Sequence, residues 1–323
     1  MNTEGLNQPI HLWNNCNACG ASPIRGKRFE CQTCIIGPDS DLCESCYQRM
    51  TRGELAHPTA DNYLNSHLKG ITHHFTCYEG SAAEHIDPWF KVPEAYGSAP
   101  QIPTGLVVRP EFCSGFDSTF GGYAFVVTAP GYSHPLLLTA FHVMDEMIKK
   151  KNIDATDQNP GYTGREMPEV ISKVGLYDIY ADNWMISSLG SAGAMLVLPG
   201  ARIKDEEPRS DRDIAAFHIP EEKGLSPAPL AEKVPDVGDP IWLAAHRGKG
   251  QTGRTLAAVV VAQNDRSLIY RFLETKVPGY TSGAPLLNAR GQVVGINVGG
   301  GSFKGQRFGH ANHVLNIRRH LGG

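Results

Sequence analysis

Six of the eight cysteines in this 323-residue chain lie between residues 16 and 46 and form three pairs of the spacing CxxC. The pairs are Cys16/Cys19, Cys31/Cys34 and Cys43/Cys46. Each pair places two thiolates on one tight turn, at a separation that suits a tetrahedral ion. Three such pairs so close together favour zinc, with a disulfide framework as the alternative.

Six cysteines do not complete two four-ligand sites, so two histidines are expected to supply the remaining ligands. The region offers His57, His67, His73 and His74. A segment this small buries little core, so bound metal is expected to hold its fold. With four protein ligands an ion keeps no open position for catalysis, so these zinc sites are predicted to be structural.

Composition sets the class of the rest of the chain. A hydrophobic content of 41% supports a sizeable core, and 35 glycines with 22 prolines between short apolar runs indicate a β-rich protein. A net charge of −3 gives no sign of nucleic-acid or anionic-membrane binding. The chain has no apolar run of eighteen residues, so no transmembrane helix is expected, and residues 1–6 lack the basic and apolar pattern of a secretory signal, so none is predicted. With only Cys77 and Cys113 outside the cluster, a reducing, cytoplasmic location is predicted.

Strand-like runs begin after a proline-containing connector at residues 80–103. They lie at residues 106–108, 123–127, 136–138, 194–198, 241–244, 256–261 and 267–270, and a C-terminal helix is predicted at 314–321. Short strands at regular spacing with few helices are typical of barrel architectures.

Three segments of this β-rich part carry reactive side chains. Ser282 lies on a turn framed by glycine and proline, His142 follows an apolar strand, and Asp213 precedes another apolar run. Serine is a weak nucleophile at neutral pH, so a base must take its proton. Histidine can do so when a carboxylate on its other ring nitrogen fixes the tautomer. Asp211 is the alternative carboxylate, and His134, His218 and His246 are expected to be surface or packing residues.

The segments around these residues resemble motifs of the chymotrypsin-fold, or trypsin-like, serine proteases. Residues 139–142 resemble the family's TAAH segment, residues 213–215 its DIA segment and residues 281–285 its DSGGP segment. Residues 295–300 are similar to the strand that lines the substrate cleft in the glutamyl-endopeptidase and HtrA-like branches. The resemblance covers residues 104–323 and implies a mostly β fold, a double six-stranded β-barrel.

The resemblance also implies the site. His142, Asp213 and Ser282 would form the catalytic triad, and the backbone N–H groups of Ser282 and Tyr280, or Gly279, the oxyanion hole. The family usually has glycine where this chain has Tyr280, and loss of one oxyanion donor lowers the rate about 10²- to 10³-fold. Residues that shape the primary specificity pocket would fall near Lys276, Asn297 and His310.

The cysteine-rich segment resembles the ZZ-type zinc finger. The resemblance covers residues 1–79 and includes His11, Arg28–Cys31, 39–46 and the closing residues His73–Phe75. It implies two cross-braced structural zinc ions. One would be held by Cys16, Cys19, Cys43 and Cys46, and the other by Cys31, Cys34, His67 and His73, with His57 as a rival to His67 and Cys77 as a further alternative.

ZZ fingers are protein-recognition modules, and some bind the N-terminus of a partner in an acidic pocket. Asp39 and Asp41 match acidic positions of that pocket, whereas Asn17 stands where amine-binding members have aspartate. The sequence as a whole therefore predicts an intracellular serine endopeptidase whose finger recruits a protein substrate or regulator. The alternative is an inactive protease-fold scaffold whose finger binds a protein partner or N-terminus.

Overall fold

The structure is a computed structural model that describes residues 10–11, 16–21, 24–31, 41–57, 73–78, 97–144, 147, 167–180, 187–201, 210–220, 224–246, 254–274, 279–303 and 306–322. The chain divides into two compact units. One comprises Met1–Phe90 with Gly300–Gln306, and the other comprises Lys91–Gly299 with Arg307–Gly323.

Strands dominate both units. In chain order they are β1 (Ile10–His11), β2 (Ile24–Arg25), β3 (Arg28–Cys31), β4 (Asp41–Cys43), β5 (Phe75–Tyr78), β6 (Val107–Ser114), β7 (Asp117–Phe120), β8 (Ala124–Thr128), β9 (Leu136–Thr139), β10 (Lys173–Asp178), β11 (Ser188–Ala192), β12 (Ala215–His218), β13 (Ala228–Pro229), β14 (Pro240–Ala244), β15 (Thr255–Gln263), β16 (Leu268–Phe272), β17 (Pro285–Leu287), β18 (Val293–Phe303) and β19 (Gln306–His313). The helices are α1 (Glu44–Thr51), α2 (Met167–Val170) and α3 (Val314–His320), with 3-10 turns at Phe141–Met144 and Ser210–Arg212.

The N-terminal unit is a small sheet with one helix. β4, β3 and β5 form a three-stranded antiparallel sheet, and β1 pairs with β2. Among the described residues, its hydrophobic cluster has Cys16, Ile24, Leu42 and Cys46 as buried members. Two of these four are cysteines, so metal-ligating side chains form part of the packing of this unit.

The larger unit contains an eight-stranded sheet and a closed barrel. The main path of the sheet is β11-β10-β6-β8-β9-β12, with β7 paired to β6 and β13 to β8, whereas β14-β15-β16-β19-β18-β17 close into a six-stranded barrel. Apolar runs such as Leu136–Leu138 and Ala258–Val260 are completely buried. Burial on both faces accounts for strands that read as continuous hydrophobic sequence.

Antiparallel pairing brings two of the predicted site residues to one edge of the sheet. β9 pairs with β12, and Thr139 lies opposite Ala215. His142 follows Thr139 by three residues, in the 3-10 turn that continues β9, and Asp213 precedes Ala215 by two. Because the strands run in opposite directions, the end of β9 and the start of β12 lie together.

Most sequence predictions of architecture are confirmed, with two differences. Of the two predicted six-stranded barrels, the described residues show one closed, and where the other was predicted they show the eight-stranded sheet. The fold is mostly β, and the C-terminal helix is present as α3. The strand predicted at 194–198 is wrong, because the strand lies at Ser188–Ala192 and only Met195 makes an isolated bridge, to Phe217. The predicted boundaries at residues 79 and 104 stay predictions.

Candidate active site and metal centres

Asp213 holds His142 by both of its carboxylate oxygens. The backbone N–H of His142 donates to Asp213 Oδ1 over 2.9 Å, and ring Nδ1 lies 2.6 Å from Oδ2. A carboxylate only accepts, so Nδ1 carries the proton and Nε2 is left with its lone pair in the neutral ring. Both side chains are partly buried, with 27% of the His142 side chain and 14% of the Asp213 side chain exposed. This arrangement fixes the direction of the ring and leaves the lone pair on Nε2.

The Ser282 turn is fixed against the connection between β7 and β8. The carbonyl oxygen of Ser282 accepts a hydrogen bond of 2.8 Å from the backbone N–H of Tyr123. A Cβ atom at Gly122 would meet both that carbonyl oxygen and the side chain of Val143, the neighbour of His142. Gly122 is therefore where the Ser282 turn and the His142 segment pack together, at a distance only glycine permits.

Gly283 has to be glycine for two independent reasons. Its φ of 82° lies in the left-handed region, and a side chain there would collide with the carbonyl oxygen of Tyr123 and the hydroxyl of Thr139. Thr139 donates to that same carbonyl over 2.6 Å. These contacts fix the residue that follows Ser282 and so limit the positions open to the serine.

Asn297 supports the same turn from the barrel. Its side-chain amide donates to the carbonyl oxygen of Thr281 over 2.9 Å and to the Thr281 hydroxyl over 3.0 Å, and its Oδ1 accepts from Tyr270 over 2.7 Å. Its backbone pairs with Gly283 and Ala284. Asn297 is 2% exposed, so these buried bonds hold the turn without competition from water.

Tyr280 takes a backbone conformation that its residue type disfavours. Its φ is 59°, and among the residues described it is the one non-glycine residue with a positive value. The side chain is 93% exposed, so no packing of the ring compensates. A tyrosine in this region costs on the order of 1–2 kcal/mol. The turn therefore keeps the left-handed geometry of a glycine position with a tyrosine in place.

His310 lies close to the His142–Asp213 pair. Burial lowers the pKa of His310 to about 4; the negative charge of Asp213 opposes this shift, and the positive charge of His142 adds to it. A Cβ atom at Gly299 would stand 2.6 Å from His310 Nε2, so the ring lies against the backbone of β18. His310 is therefore a neutral imidazole beside the strand predicted to line the cleft, while Lys276 lies outside the described residues.

Four cysteines of the N-terminal unit form a candidate metal centre. The sulfur atoms of Cys16, Cys19, Cys43 and Cys46 all lie within 4.8 Å of one another, and those of Cys19 and Cys43 are 3.9 Å apart. In a tetrahedral zinc site with Zn–S bonds of about 2.3 Å, sulfur atoms lie about 3.8 Å apart. The four side chains thus fit a zinc ion in geometry and in chemistry.

A second group of metal-ligating side chains contains Cys31, His57 and His73. The sulfur of Cys31 is 3.4 Å from Nδ1 of His73, and the two imidazole rings stack with centroids 4.0 Å apart. Burial, and next the positive charge of His73, lowers the pKa of His57 to about 4. Both rings can therefore bind metal in the neutral form that coordination requires. Cys34 and His67 lie outside the described residues, and the structure places the rival, His57, in this group.

Cys77 and His11 lie outside both groups. Cys77 is exposed on β5, and Cys113 is half-buried on β6.

His11 is buried, and its Nε2 lies 2.9 Å from the carbonyl oxygen of Gly26. Burial, and next the charge of Arg28, lowers the pKa of His11 to about 4. His11 therefore acts as a neutral ring that joins β1 to the β2–β3 turn.

Asp41 is engaged inside the finger. Both of its carboxylate oxygens accept from Arg28, over 3.0 and 3.2 Å, and the residue is 2% exposed. Its backbone pairs with Asn17, whose Oδ1 accepts from the Asp41 N–H. The pairing leaves Asp41 little surface for a partner. Asp39 lies outside the described residues, and the partner-binding role of the two aspartates stays a prediction.

The described residues contain a histidine oriented by a carboxylate, a serine turn held by buried hydrogen bonds, and a sheet followed by a closed six-stranded barrel. These features together are those of the trypsin-like class of proteins. The chain matches the family profile of the trypsin-like peptidase domain over residues 122–296, more than half its length. The chain therefore belongs to the trypsin-like peptidase family. It also matches the profile of the ZZ-type zinc finger over residues 10–55. A comparison with curated protein sequences found no match.

Solved structures similar to this chain include three proteases. The active form of the Rv3671c protease from M. tuberculosis is 15% identical, with a TM-score of 0.41, and the match covers 73% of this chain and 92% of that one. The serine endoprotease from Yersinia pestis is 18% identical, with a TM-score of 0.42, covering 72% and 67%. The HtrA-type protease AlgW with tripeptide is 16% identical, with a TM-score of 0.38, covering 67% and 60%.

The helices in the described parts of the chain are all too short and too polar to cross a lipid bilayer.

Proposed function

We propose that the chain is a serine endopeptidase with His142, Asp213 and Ser282 as its catalytic triad. The observation that carries the proposal is the double contact of Asp213 with His142, through the backbone N–H and through Nδ1. That contact fixes both the tautomer and the direction of the ring, which is what a general base for serine needs. The trypsin-like family supports a protein or peptide as substrate.

In the proposed reaction Ser282 Oγ attacks the carbonyl carbon of the scissile peptide bond while His142 Nε2 takes its proton. The imidazolium is stabilised by Asp213 and then gives the proton to the departing amine, which leaves an ester on Ser282. A water molecule repeats the sequence and releases the acid product. The backbone N–H groups of Ser282 and Tyr280 would stabilise the negative oxygen of each tetrahedral intermediate.

The proposal is tested with a fluorophosphonate probe, which forms a phosphorus–oxygen bond to an activated serine and loses fluoride. The wild-type chain is expected to label, and Ser282→Ala is expected to lose labelling completely because the attacking oxygen is gone. Ser118→Ala is the matched control, since Ser118 is an exposed serine bonded to Glu111 on a hairpin. Labelling is read by intact-protein mass spectrometry.

Two results would count against the endopeptidase. A folded wild-type chain that never labels, or a Ser282→Ala chain that labels like the wild type, contradicts the assignment. If the wild-type chain never labels but still binds a protein partner, the result would support the alternative of an inactive protease-fold scaffold. Loss of partner binding in Cys31→Ser would then show that the finger binds the partner.

Tyr280 provides a second prediction, because its backbone must hold a left-handed φ for its N–H to serve as an oxyanion donor. Tyr280→Gly is expected to retain or raise kcat, since glycine adopts this φ without strain. Tyr280→Val is expected to lower kcat by up to about 10³-fold, because a β-branched residue resists this φ and the donor is displaced. Equal kcat values for the two variants, measured on a peptide ester, would remove Tyr280 from the oxyanion hole.

The finger is proposed to hold two structural zinc ions and to bind a protein partner. The four-cysteine group holds the first ion, and Cys31, Cys34, His73 and one further histidine hold the second. Zinc supplies structural stabilisation here, since all four positions of each ion are filled by protein. The ZZ-type match supports a role in protein recognition, by which the finger would recruit a substrate or regulator.

A further inference from the structure

His320, the last residue of α3, bridges two separate backbone carbonyl groups. Its Nδ1 lies 2.6 Å from the carbonyl oxygen of Pro199, and its Nε2 lies 2.7 Å from that of Asp211. The residue is buried, with 8% of its surface exposed. Both short contacts therefore form away from bulk water, where such hydrogen bonds are strong and costly to lose.

The two carbonyl groups flank the segment that leads into Asp213. Pro199 precedes residues 202–209 and Asp211 follows them. A third bond joins the same two ends, because Arg212 Nε donates to the carbonyl oxygen of Gly200 over 2.8 Å. The 3-10 turn Ser210–Arg212 then places Asp213, whose backbone N–H reaches the carbonyl oxygen of Ser210. The position of this turn therefore sets the position of the carboxylate that holds His142.

Carbonyl oxygens only accept hydrogen bonds, so the ring must donate from both nitrogens to satisfy both groups. A ring protonated on both nitrogens makes both bonds at once, whereas a neutral ring makes one. Among the described residues, the charged side chains that neighbour these contacts along the chain are those of Asp211 and Arg212 on the turn and of Arg318 and Arg319 on α3. Arg318 donates to the carbonyl oxygens of Leu230 and Ala231, and Arg319 donates to Asn316.

We propose that His320 is a positioning residue for Asp213. It ties the C-terminal helix to both ends of the segment that precedes the carboxylate, and so holds Asp213 at the distance from which it orients His142. The inference rests on the proposed endopeptidase function, because it assigns His320 a part in the same site. No contact of His320 with substrate is involved, and the effect passes through the turn at Ser210–Arg212.

His313 offers a matched control at the other end of α3. It is also buried, but its Nε2 contacts the carbonyl oxygen of Asn264 and the amide of Asn316, not the Asp213 segment. Replacing either histidine with phenylalanine removes ring hydrogen bonds while keeping a ring of similar size. Both changes should destabilise the fold, because each leaves buried acceptors without donors. Only one of them should change the Asp213 turn.

The test compares His320→Phe, His313→Phe and the rescue variant His320→Lys, whose ammonium group can donate to both carbonyls. His320→Phe is expected to lower kcat about tenfold to a hundredfold with KM little changed, since a misplaced orienting group acts on the chemical step. His313→Phe is expected to keep kcat, and His320→Lys to recover a large part of it. Hydrogen exchange by mass spectrometry should show faster exchange at residues 210–214 in His320→Phe alone.

Unchanged exchange at residues 210–214 in folded His320→Phe would overturn the inference, as would equal loss of kcat in both phenylalanine variants. The exchange readout separates this inference from the proposed function. A wild-type chain without peptidase activity would contradict the proposed function. Faster exchange in His320→Phe would still establish that His320 holds the segment before Asp213.

Discussion

Asp213→Asn is expected to lower kcat about 10⁴-fold while the protein stays folded. The native carboxylate accepts from the His142 backbone with one oxygen and from Nδ1 with the other. Asparagine has one side-chain oxygen, so its amide NH₂ group would face one of the two N–H donors of His142. The hydrogen bond at that donor would be lost. The ring then turns or takes the other tautomer, and Nε2 loses the lone pair that a general base needs. The change is measured as kcat on a peptide ester.

Asp211→Asn is the control for this prediction, because Asp211 is the other carboxylate that the sequence offers for the role. It lies two residues away and is buried, but the backbone N–H and ring Nδ1 of His142 are hydrogen-bonded to Asp213. Asp211→Asn should therefore keep kcat within about tenfold of the wild type. A larger loss from Asp211→Asn than from Asp213→Asn would reverse the assignment of the orienting carboxylate.

Cys46→Ser is expected to abolish zinc binding at the four-cysteine site and to unfold the finger. Cys46 is 3% exposed and belongs both to the metal group and to the small core with Ile24 and Leu42. Structural zinc supplies on the order of 10–16 kcal/mol to such folds, far more than a core of this size. Metal analysis should give two zinc ions per wild-type chain and a loss of at least one in Cys46→Ser.

Cys77→Ser is the matched control for the zinc prediction, since Cys77 is an exposed cysteine of the same unit and lies outside both metal groups. It should keep both ions. The fluorophosphonate reaction of each variant reports separately whether the trypsin-like part is intact. A full zinc content in Cys46→Ser, or an equal loss in Cys77→Ser, would contradict the assigned ligands.

The sequence was most informative where a function imposes a local pattern. CxxC spacing predicted that the two cysteines of each pair bind one metal ion, and glycine and proline around Ser282 predicted the tight turn, because each pattern encodes its own geometry. The grouping of Cys16 and Cys19 with Cys43 and Cys46 was implied only by the ZZ-type resemblance. The apolar runs next to His142 and Asp213 predicted two strand ends, and the pairing of β9 with β12 places them side by side. That pairing needs long-range contact, so the sequence implied it only through family resemblance.

Local sequence patterns do not predict which distant segments of the chain come into contact. The bond of Asp41 to Arg28 and the choice of His57 for the second metal group depend on how strands and loops meet. His320 contacts carbonyl groups more than a hundred residues earlier in the chain, and no motif marks it. The misplaced strand at 194–198 has a similar cause. Of its apolar residues only Met195 and Leu198 are buried, and Met195 makes a single isolated bridge, while Ser188–Ala192 pairs with β10 despite a polar sequence.

The exposed ring of Tyr280 also has a consequence for inhibitor selectivity. A trypsin-like enzyme with glycine at this position presents only backbone beside its nucleophile, whereas this chain presents an aromatic face that is 93% exposed. For the endopeptidase proposed above, a serine-directed inhibitor that carries an aromatic or cationic group near its reactive centre would stack on that face. Such a compound would discriminate this chain from relatives with glycine, and the Tyr280→Gly variant would lose the preference.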